Sequence, residues 1–550
     1  MIMNKRMIVL IALVVAVSAV PASAETLEVR GTIEELDVVN PALTYDRVWD
    51  YSNFAGFWCD LDGGLATETL TILATVPSGE TNEGSPTLNY VGDDRTIDEN
   101  TLIYRTAPEF QEYELHQDIA PTTTERATQN RMEEQYDGDG VNDAPGAGDR
   151  LDLDIGLCVD SGNPGGDCGY FLEGWMGGKY VALDNNADEL CELLVEFEDD
   201  DKKTLATGEE WDLGGGFALV ANRIDLEGDK VWFLLKKDGK ELDNEVTSTG
   251  ESTARQDRVY TYTADIGNEE DIPVFSCYVD AVYRENDTNV VQVMYVFLID
   301  DDVLEIETSD TYGAMDVKTA SSTEVVLTND ETTIDLGTDT KEPIMGNMYF
   351  VTADDDCAIR FYPMVEYTEP GTYEVRGTIA ELDGVTPTLG VDRVWDYSTF
   401  AGFWYDLDDN LEMESLTILA TVPSGETNAG DDTLDFDNND RTIDENTLIY
   451  RTALEFQEYE LHQDIAPTTT ERGTQNRMEE LYDGDGVNDA PGAGDRLDLD
   501  IGLCVESDNP GGDCGYFIEA WIAEEYVAID ANADKLCKLL VEFEGDDFSS

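Results

Sequence analysis

An acidic loop in the first third of the chain carries the residues best suited to bind a metal ion. Asp137, Asp139 and Asp143 supply carboxylates at short even spacings, and the glycines among them permit sharp turns. The backbone carbonyl of Val141 and the carboxylate of Asp149 could complete the ligand shell. Calcium takes about six to eight oxygen ligands, which loops of this kind deliver. The loop therefore predicts a structural Ca²⁺ site, with a solvated acidic turn as the alternative.

The same loop returns later in the chain. Its second set of candidate calcium ligands comprises Asp483, Asp485, Val487, Asp489 and Asp495. The pattern resembles the Asp-x-Asp-Gly loops of thrombospondin-type calcium repeats, and it lacks the bidentate glutamate that closes an EF-hand loop. A further acidic cluster at residues 184–188 is better interpreted as the start of a helix, because Asn and Asp favour helix N-termini.

Cysteine and asparagine residues offer candidate sites of covalent modification. The chain has nine cysteines, which in an exported protein predict disulfides. Cys158 and Cys168 would close a short Gly-rich loop, and the same pair recurs as Cys504 and Cys514. Asn286 begins an Asn-Asp-Thr sequence, a candidate site for N-glycosylation.

Catalytic chemistry finds little support in the residue pattern. The two histidines, His116 and His462, occupy equivalent positions and lack a nucleophile motif or zinc-ligand spacing. Carboxylates are so abundant that any pairing among them is uninformative. Trp49, Trp58 and Trp175 lie in strand-like runs, where packing in a core is favoured over stacking on sugars. The sequence therefore predicts a protein that is not an enzyme.

The N-terminus and the net charge indicate where the protein works. Lys5 and Arg6 precede an apolar run at residues 7–20, followed by Ala-Ser-Ala, the order of a secretory signal peptide over residues 1–24. That run is too short to span a bilayer, and we expect no transmembrane segment in the mature chain. The formal charge is -89. Such a surface excludes nucleic acid as a partner and attracts cations, although adaptation to a saline habitat would also explain the charge.

A long internal repeat organises the chain. The segment beginning at Glu28 recurs at Glu374, an offset of 346 residues, and 138 of the 180 pairs from 25/371 to 204/550 are identical. We refer to residues 25–370 as copy 1 and to residues 371–550 as copy 2. We expect domains at 25–204, 205–370 and 371–550, the last being the first part of an incomplete second unit.

Strands dominate the expected secondary structure. Runs rich in β-branched and aromatic residues occur at 27–36, 70–75, 231–235, 290–299, 348–352 and 358–367. Asp238 and Gly239 between two such runs predict a two-residue hairpin. A helix is expected only at 186–197, from the spacing of its leucines. The predicted fold class is all-β, with tandem repeats that each comprise two antiparallel β-sandwich domains and little helix.

Several stretches resemble one known family. They are VWDY (48–51), NFAGFW (53–58), ETLTI (68–72), RTID (95–98), LIY (102–104), FLEGWM (171–176), IDLEGDKV (224–231), IMGNM (344–348) and TAD (352–354). Their order and spacing are similar to the duplicated S-layer domain of Methanosarcina-type methanogens. The resemblance implies an extracellular, cell-surface protein whose paired β-sandwiches self-associate into a two-dimensional lattice. A low-copy surface adhesin or glycan-binding protein is the alternative.

Overall fold

The described part of the chain is built almost entirely from β-strands. The computed structural model describes residues 9–11, 14–17, 27–61, 64–92, 95–113, 169–197, 201–249, 258–267, 269–285, 287–355, 358–368, 373–408, 410–436, 441–458, 515–521, 524–528, 533 and 536–539. Its strands pair in antiparallel fashion. The all-β class predicted from the sequence is therefore confirmed.

Among residues up to 196, the described ones form twelve strands and two 3₁₀ turns. The strands are β1 (Val9–Ile11), β2 (Val14–Val17), β3 (Leu27–Arg30), β4 (Glu34–Leu36), β5 (Arg47–Asp50), β6 (Thr69–Ile72), β7 (Thr96–Ile97), β8 (Leu102–Thr106), β9 (Glu109–Glu112), β10 (Gly169–Trp175), β11 (Gly178–Ala182) and β12 (Glu189–Glu196). The turns are Tyr90–Gly92 and Leu183–Asn185.

The described residues in the rest of copy 1 add sixteen strands, several of them long. They are β13 (Lys203–Ala206), β14 (Glu210–Gly214), β15 (Phe217–Asp225), β16 (Lys230–Lys237), β17 (Lys240–Ser248), β18 (Val259–Ile266), β19 (Glu269–Glu285), β20 (Thr288–Ile299), β21 (Leu304–Glu305), β22 (Thr311–Tyr312), β23 (Met315–Ser321), β24 (Glu324–Thr328), β25 (Ile334–Asp335), β26 (Thr340–Met345), β27 (Met348–Thr352) and β28 (Ile359–Tyr367).

Copy 2 repeats the early strands of copy 1. The described strands are β29 (Tyr373–Arg376), β30 (Ala380–Leu382), β31 (Arg393–Asp396), β32 (Tyr405–Asp406), β33 (Leu411–Glu412), β34 (Glu414–Ile418), β35 (Leu448–Thr452), β36 (Glu455–Glu458), β37 (Gly515–Trp521), β38 (Glu524–Ala528) and β39 (Leu536–Lys538).

Copy 1 contains two large apolar cores, each enclosed by two sheets. The first core contains buried residues from two sheets, whose strand orders are β18-β19-β20-β12-β11-β10-β9 and β14-β15-β16-β17. The second core contains buried residues from two other sheets, whose strand orders are β22-β23-β24-β8-β6-β5 and β26-β27-β28-β3. Strand β10 contributes to both, since Leu172 lies in the first core and Trp175 in the second.

The strands of the second core come from both ends of copy 1. Strand β24 pairs with β8, so that Leu327 lies opposite Tyr104. Strand β28 pairs with β3 and β4. Residue 204, the expected domain boundary, lies inside β13, which pairs with β20. Each core thus combines strands from both sides of residue 204. The division into domains at 25–204, 205–370 and 371–550 stays a prediction.

Two local predictions have opposite outcomes. The hairpin is confirmed, because Lys237 pairs with Lys240 and the turn residues have φ of 53° and 72°. The helix at 186–197 is wrong, because residues 189–196 form β12 between β11 and β20. Leu190 and Cys191 are adjacent and both fully buried. A strand enclosed on both faces loses its polar alternation, and its leucines then imitate a helical spacing.

The first strands of the chain and of copy 2 pair with each other. Strand β2 pairs with β29, and β1 pairs with β30. These pairings match those of β28 with β3 and β4 in copy 1. No helix among the described residues is long and apolar enough to cross a membrane.

Candidate functional site: a buried pair of glutamates

The residues that the sequence marks for metal binding, disulfides and glycosylation lie outside the described ranges. They are Asp137, Asp139, Val141, Asp143, Asp149, Asp483, Asp485, Val487, Asp489, Asp495, Cys158, Cys168, Cys504, Cys514 and Asn286. The histidines His116 and His462 lie outside them as well. These assignments stay predictions. Within the described ranges, no group of three or more His, Cys, Asp or Glu side chains is placed to hold a metal ion.

The described cysteines behave as core or surface residues. Cys59, Cys191, Cys277 and Cys537 are free thiols. Burial raises the pKa of Cys191 to about 12. Because the thiolate is the reactive form, such a thiol is inert at neutral pH.

Glu68 is a carboxylate held inside the second core. It directly precedes β6 and is 2% exposed. The hydroxyl of Tyr104 donates a hydrogen bond of 2.8 Å to its Oε1, and the amide of Gly177 donates one of 2.9 Å to the same oxygen. The amide of Trp58 donates to Oε2 at 3.2 Å. Burial raises the pKa of Glu68 to about 7, although these hydrogen bonds favour the charged form.

Glu173 lies nearby on β10 and is fully buried. Neither of its carboxyl oxygens accepts a hydrogen bond in the described part of the chain. The neighbouring Thr106 hydroxyl instead donates to the carbonyl of Gly174 at 2.8 Å. Burial raises the pKa of Glu173 to about 8, and the charge of Glu68 adds to the rise. The uncharged form of Glu173 is therefore favoured at neutral pH.

A glycine lets Glu68 lie close to the backbone of β10. A Cβ atom on Gly174 would lie 2.4 Å from Oε2 of Glu68, which is closer than any real contact. The Gly174 amide donates to the hydroxyl of Thr67 at 2.7 Å. This hydrogen bond holds the β10 backbone beside Thr67, the residue that precedes Glu68. Since β10 belongs to both cores, the pair lies where the two cores meet.

The chemistry open to this pair is proton storage. Two carboxyl groups with pKa values of about 7 and about 8 change charge near neutral pH. Their exposure is 2% and 0%, so a substrate cannot reach them. The pair is therefore a structural element whose charge depends on pH.

Little in the residue pattern predicts this site. With 121 acidic residues, a glutamate carries no signal by type alone. The pair recurs as Glu414 and Glu519, but most residues of the two copies are identical. The usable signal was a charge inside the apolar run around Glu173, because a strand buried on both faces rarely carries one.

The tryptophan assignments are tested by burial. Trp49 is 0% and Trp175 is 5% exposed. Trp49 also donates its indole hydrogen to the carbonyl of Thr32 at 2.8 Å. Core packing is thus confirmed for both. Trp58 is half-buried, with the ammonium of Lys179 lying 5.0 Å from the centre of its ring.

Comparison with known proteins identifies the family. The sequence model described as "S-layer protein" matches residues 38–137, 159–354 and 385–475. These ranges fall in both copies and cover well over half of the chain. The chain belongs to the S-layer protein family. The resemblance found in the sequence is confirmed.

Relatives within the family come from methanogens. The chain is 30% identical to the "Major S-layer protein" of Methanosarcina mazei over 80% of this chain and 53% of that protein. For the protein of the same name from Methanosarcina acetivorans, the identity is 32% over 74% of this chain and 52% of the relative. For the "Major S-layer protein" of Methanosarcina barkeri, the identity is 27% over 95% of this chain and 58% of the relative. The chain thus spans about half the length of these relatives.

Proposed function

We propose that this chain is a structural subunit of the archaeal surface layer. It self-assembles into a porous, acidic lattice outside the cytoplasmic membrane. The observation that carries the proposal is the match of the S-layer family to both copies, together with relatives named "Major S-layer protein". Export by the signal peptide at residues 1–24 would bring the chain to the cell surface.

The burial pattern supports a structural role. Glu68 and Glu173, whose pKa values are strongly raised, are buried. The side chains of Trp49 and Trp175 are buried in the core. An enzyme presents its tuned groups in an accessible cleft. We therefore propose that the chain has no catalytic activity.

Exposed apolar side chains offer contacts between subunits. In the loop between β4 and β5, Val39 is 76% and Tyr45 is 71% exposed. The equivalent residues of copy 2, Val385 and Val391, are 85% and 75% exposed. Apolar side chains left in water at equivalent positions are suited to burial when subunits associate.

Cations are proposed as partners of the acidic lattice. A charge of -89 makes neighbouring subunits repel each other, and bound cations relieve that repulsion. We propose that Ca²⁺ binds the loop of Asp137, Asp139 and Asp143 and its equivalent in copy 2. The disulfides Cys158–Cys168 and Cys504–Cys514 and a glycan on Asn286 would stabilise the exported protein further.

Assembly of the purified mature chain tests the lattice. Electron microscopy should show ordered sheets once calcium is added, and the protein should dominate the peptides of isolated cell envelopes. Val39→Asp with Val385→Asp should prevent sheets while leaving the circular dichroism spectrum unchanged. Absence of sheets, together with low abundance in envelopes, would favour the adhesin.

Calorimetric titration with Ca²⁺ tests the metal sites separately. Asp137→Asn with Asp139→Asn should remove one binding event, and the same changes at Asp483 and Asp485 should remove another. The matched control replaces the exposed Asp212 and Asp238 by asparagine. An unchanged titration in the loop variants would refute the calcium sites and leave the lattice proposal standing.

A further inference from the structure

An arginine of copy 1 binds backbone carbonyls of copy 2. Nη1 of Arg30 donates to the carbonyl of Tyr397 at 2.6 Å, and Nη2 donates to that of Phe403 at 3.1 Å. The guanidinium also lies 5.5 Å from the ring centre of Tyr405 and 5.9 Å from that of Tyr362. Arg30 thus reaches across the boundary between the copies through a planar, two-pronged donor.

The equivalent arginine of copy 2 makes the same contacts in return. Nη2 of Arg376 donates to the carbonyl of Tyr51 at 3.1 Å and to that of Phe57 at 2.7 Å. Tyr51 and Phe57 are the copy 1 equivalents of the two residues that Arg30 binds. Each copy therefore offers one arginine and receives the other at the same pair of carbonyls.

Apolar residues between the two arginines repeat this reciprocity. Val29 is 1% and Val375 is 4% exposed, and both belong to one apolar cluster. Ala55 and its equivalent Ala401 pack against that cluster. A residue that lies close to a two-fold axis meets its own equivalent, which is the mark of an isologous contact.

We propose that the surface formed by Val29, Arg30, Tyr51, Ala55 and Phe57 is self-complementary and that its partner is a second copy of itself. We name it the clasp surface. In this chain the partner is the equivalent surface of copy 2, which the chain connection holds at a high effective concentration. The tandem repeat is then a covalently joined dimer with a pseudo-two-fold axis. This holds independently of lattice formation.

Cutting the chain between the copies separates covalent from non-covalent attachment. A protease site placed at residues 369–372 of the full mature chain allows this cut after folding. The two pieces should then co-sediment at micromolar concentration in analytical ultracentrifugation. Immediate separation into two independent pieces would overturn the proposal.

Substitution of the arginines tests the clasp itself. Arg30→Ala and Arg376→Ala should each weaken association of the cut pieces at least about tenfold, since arginine is enriched among the residues that contribute most to interface affinity. Arg30→Lys should also weaken it, because an ammonium cannot bind two carbonyls as a planar fork. The matched control is the exposed pair Arg105→Ala and Arg451→Ala, which should change nothing. Equal affinities in all these variants would contradict the clasp.

Self-complementarity has its own measurement. The described sheets formed by residues 25–370 contain no strand of copy 2, so the first piece keeps its sheets after the cut. Purified away from copy 2, this piece should form a homodimer that Arg30→Ala dissolves. A first piece that stays monomeric well above the dissociation constant of the cut pair would show a contact specific to unlike copies and refute the proposal.

Discussion

The glutamate site occurs twice in the chain, and two of the hydrogen bonds to its first carboxylate are found in both copies. In copy 2, the hydroxyl of Tyr450 donates to Oε1 of Glu414 at 2.5 Å, and the amide of Trp404 approaches Oε2 at 3.3 Å. The hydroxyl of Thr452 donates to the carbonyl of Ala520 at 2.7 Å. These bonds match those of copy 1, so the framework is formed by residues of the repeated segment.

The cover over the site differs between the copies. Trp175 of copy 1 is 5% exposed, and its ring lies 5.3 Å from that of Tyr312 on β22. The equivalent Trp521 is 44% exposed and contacts Tyr450 at 5.6 Å. Burial in copy 1 therefore depends on a strand more than a hundred residues away in the sequence. The hydrogen bonds around the glutamate are therefore formed by nearby residues of each copy, whereas the exclusion of water depends on strands that are distant in the sequence.

Truncation of the two tryptophans should break this comparison most strongly. Trp175→Ala removes a buried ring and should lower the free energy of unfolding by about 3–5 kcal/mol. Trp521→Ala, the matched control, should lower it by roughly 1 kcal/mol or less, because much of that ring is already in water. Urea titration followed by fluorescence and circular dichroism measures both. Equal losses would mean that the cover provided by β22 contributes little.

The pH dependence of stability is the next largest expected effect. A carboxyl whose pKa rises on folding binds its proton more tightly in the folded state, so its stabilisation is complete below the ordinary value of 4.5. That stabilisation is lost as the pH rises through about 7 for Glu68 and about 8 for Glu173. The contribution is on the order of 3 kcal/mol for Glu68 and on the order of 5 kcal/mol for Glu173.

Glu173→Gln isolates one of these contributions. The variant stays neutral, so at pH 9 it should exceed the original protein in stability by on the order of 5 kcal/mol, with a smaller difference at pH 5. Urea midpoints measured from pH 5 to 9 give the two slopes. Glu285→Gln, at an exposed position, controls for the change in net charge. Parallel slopes for Glu173→Gln and the original chain would contradict the assignment.

Much of the fold class could be predicted, because strands leave local signals. Residues 348–352 were predicted as a strand and form β27 with those bounds. Asp238 and Gly239 specify their hairpin through positive φ, which few residue pairs adopt. The pairing of β24 with β8 could not be predicted, because nothing in one sequence records contacts between such distant segments.

The site was harder to predict than the fold. Glu68 and Glu173 lie far apart in the sequence, and their environment depends on which strands cover them. The helix predicted at residues 186–197 failed for a related reason, since Leu190 and Cys191 are buried on opposite faces of a covered strand. Burial on two faces is a property of the assembled sheets, which local periodicity does not contain.

A smaller effect is expected where glycine and alanine exchange places. Gly174→Ala would place a Cβ 2.4 Å from Glu68 and should lower the free energy of unfolding by about 1–3 kcal/mol through overpacking. Copy 2 has Ala520 there, with its amide 3.2 Å from the sulfur of Met413. Ala520→Gly should therefore lower stability by only about 0.5–1 kcal/mol, the ordinary effect of glycine in a strand. Urea titration compares them, and a neutral Gly174→Ala would show that Glu68 can move aside.

The smallest effect concerns a position beside the clasp surface at which the two copies differ in chemistry. Tyr405 stacks on Tyr397 with ring centres 4.4 Å apart and faces Arg30, whereas copy 1 has Cys59 at the equivalent position beside Arg376. Cys59→Tyr would give Arg376 the aromatic neighbour that Arg30 has.

An exposed cation–aromatic contact contributes about 0.5–1 kcal/mol, so Cys59→Tyr should strengthen association of the cut pieces by roughly two- to fivefold. Tyr405→Cys should weaken association by a similar factor, because it removes the existing ring. Sedimentation of the cut chain over a range of concentrations measures both dissociation constants. Opposite shifts would show that the two arginines work as equivalent halves of one contact. A Cys59→Tyr variant that binds more weakly would instead mean that copy 1 lacks room for the ring. The side-chain packing of the two clasp surfaces would then differ, although their hydrogen bonds match.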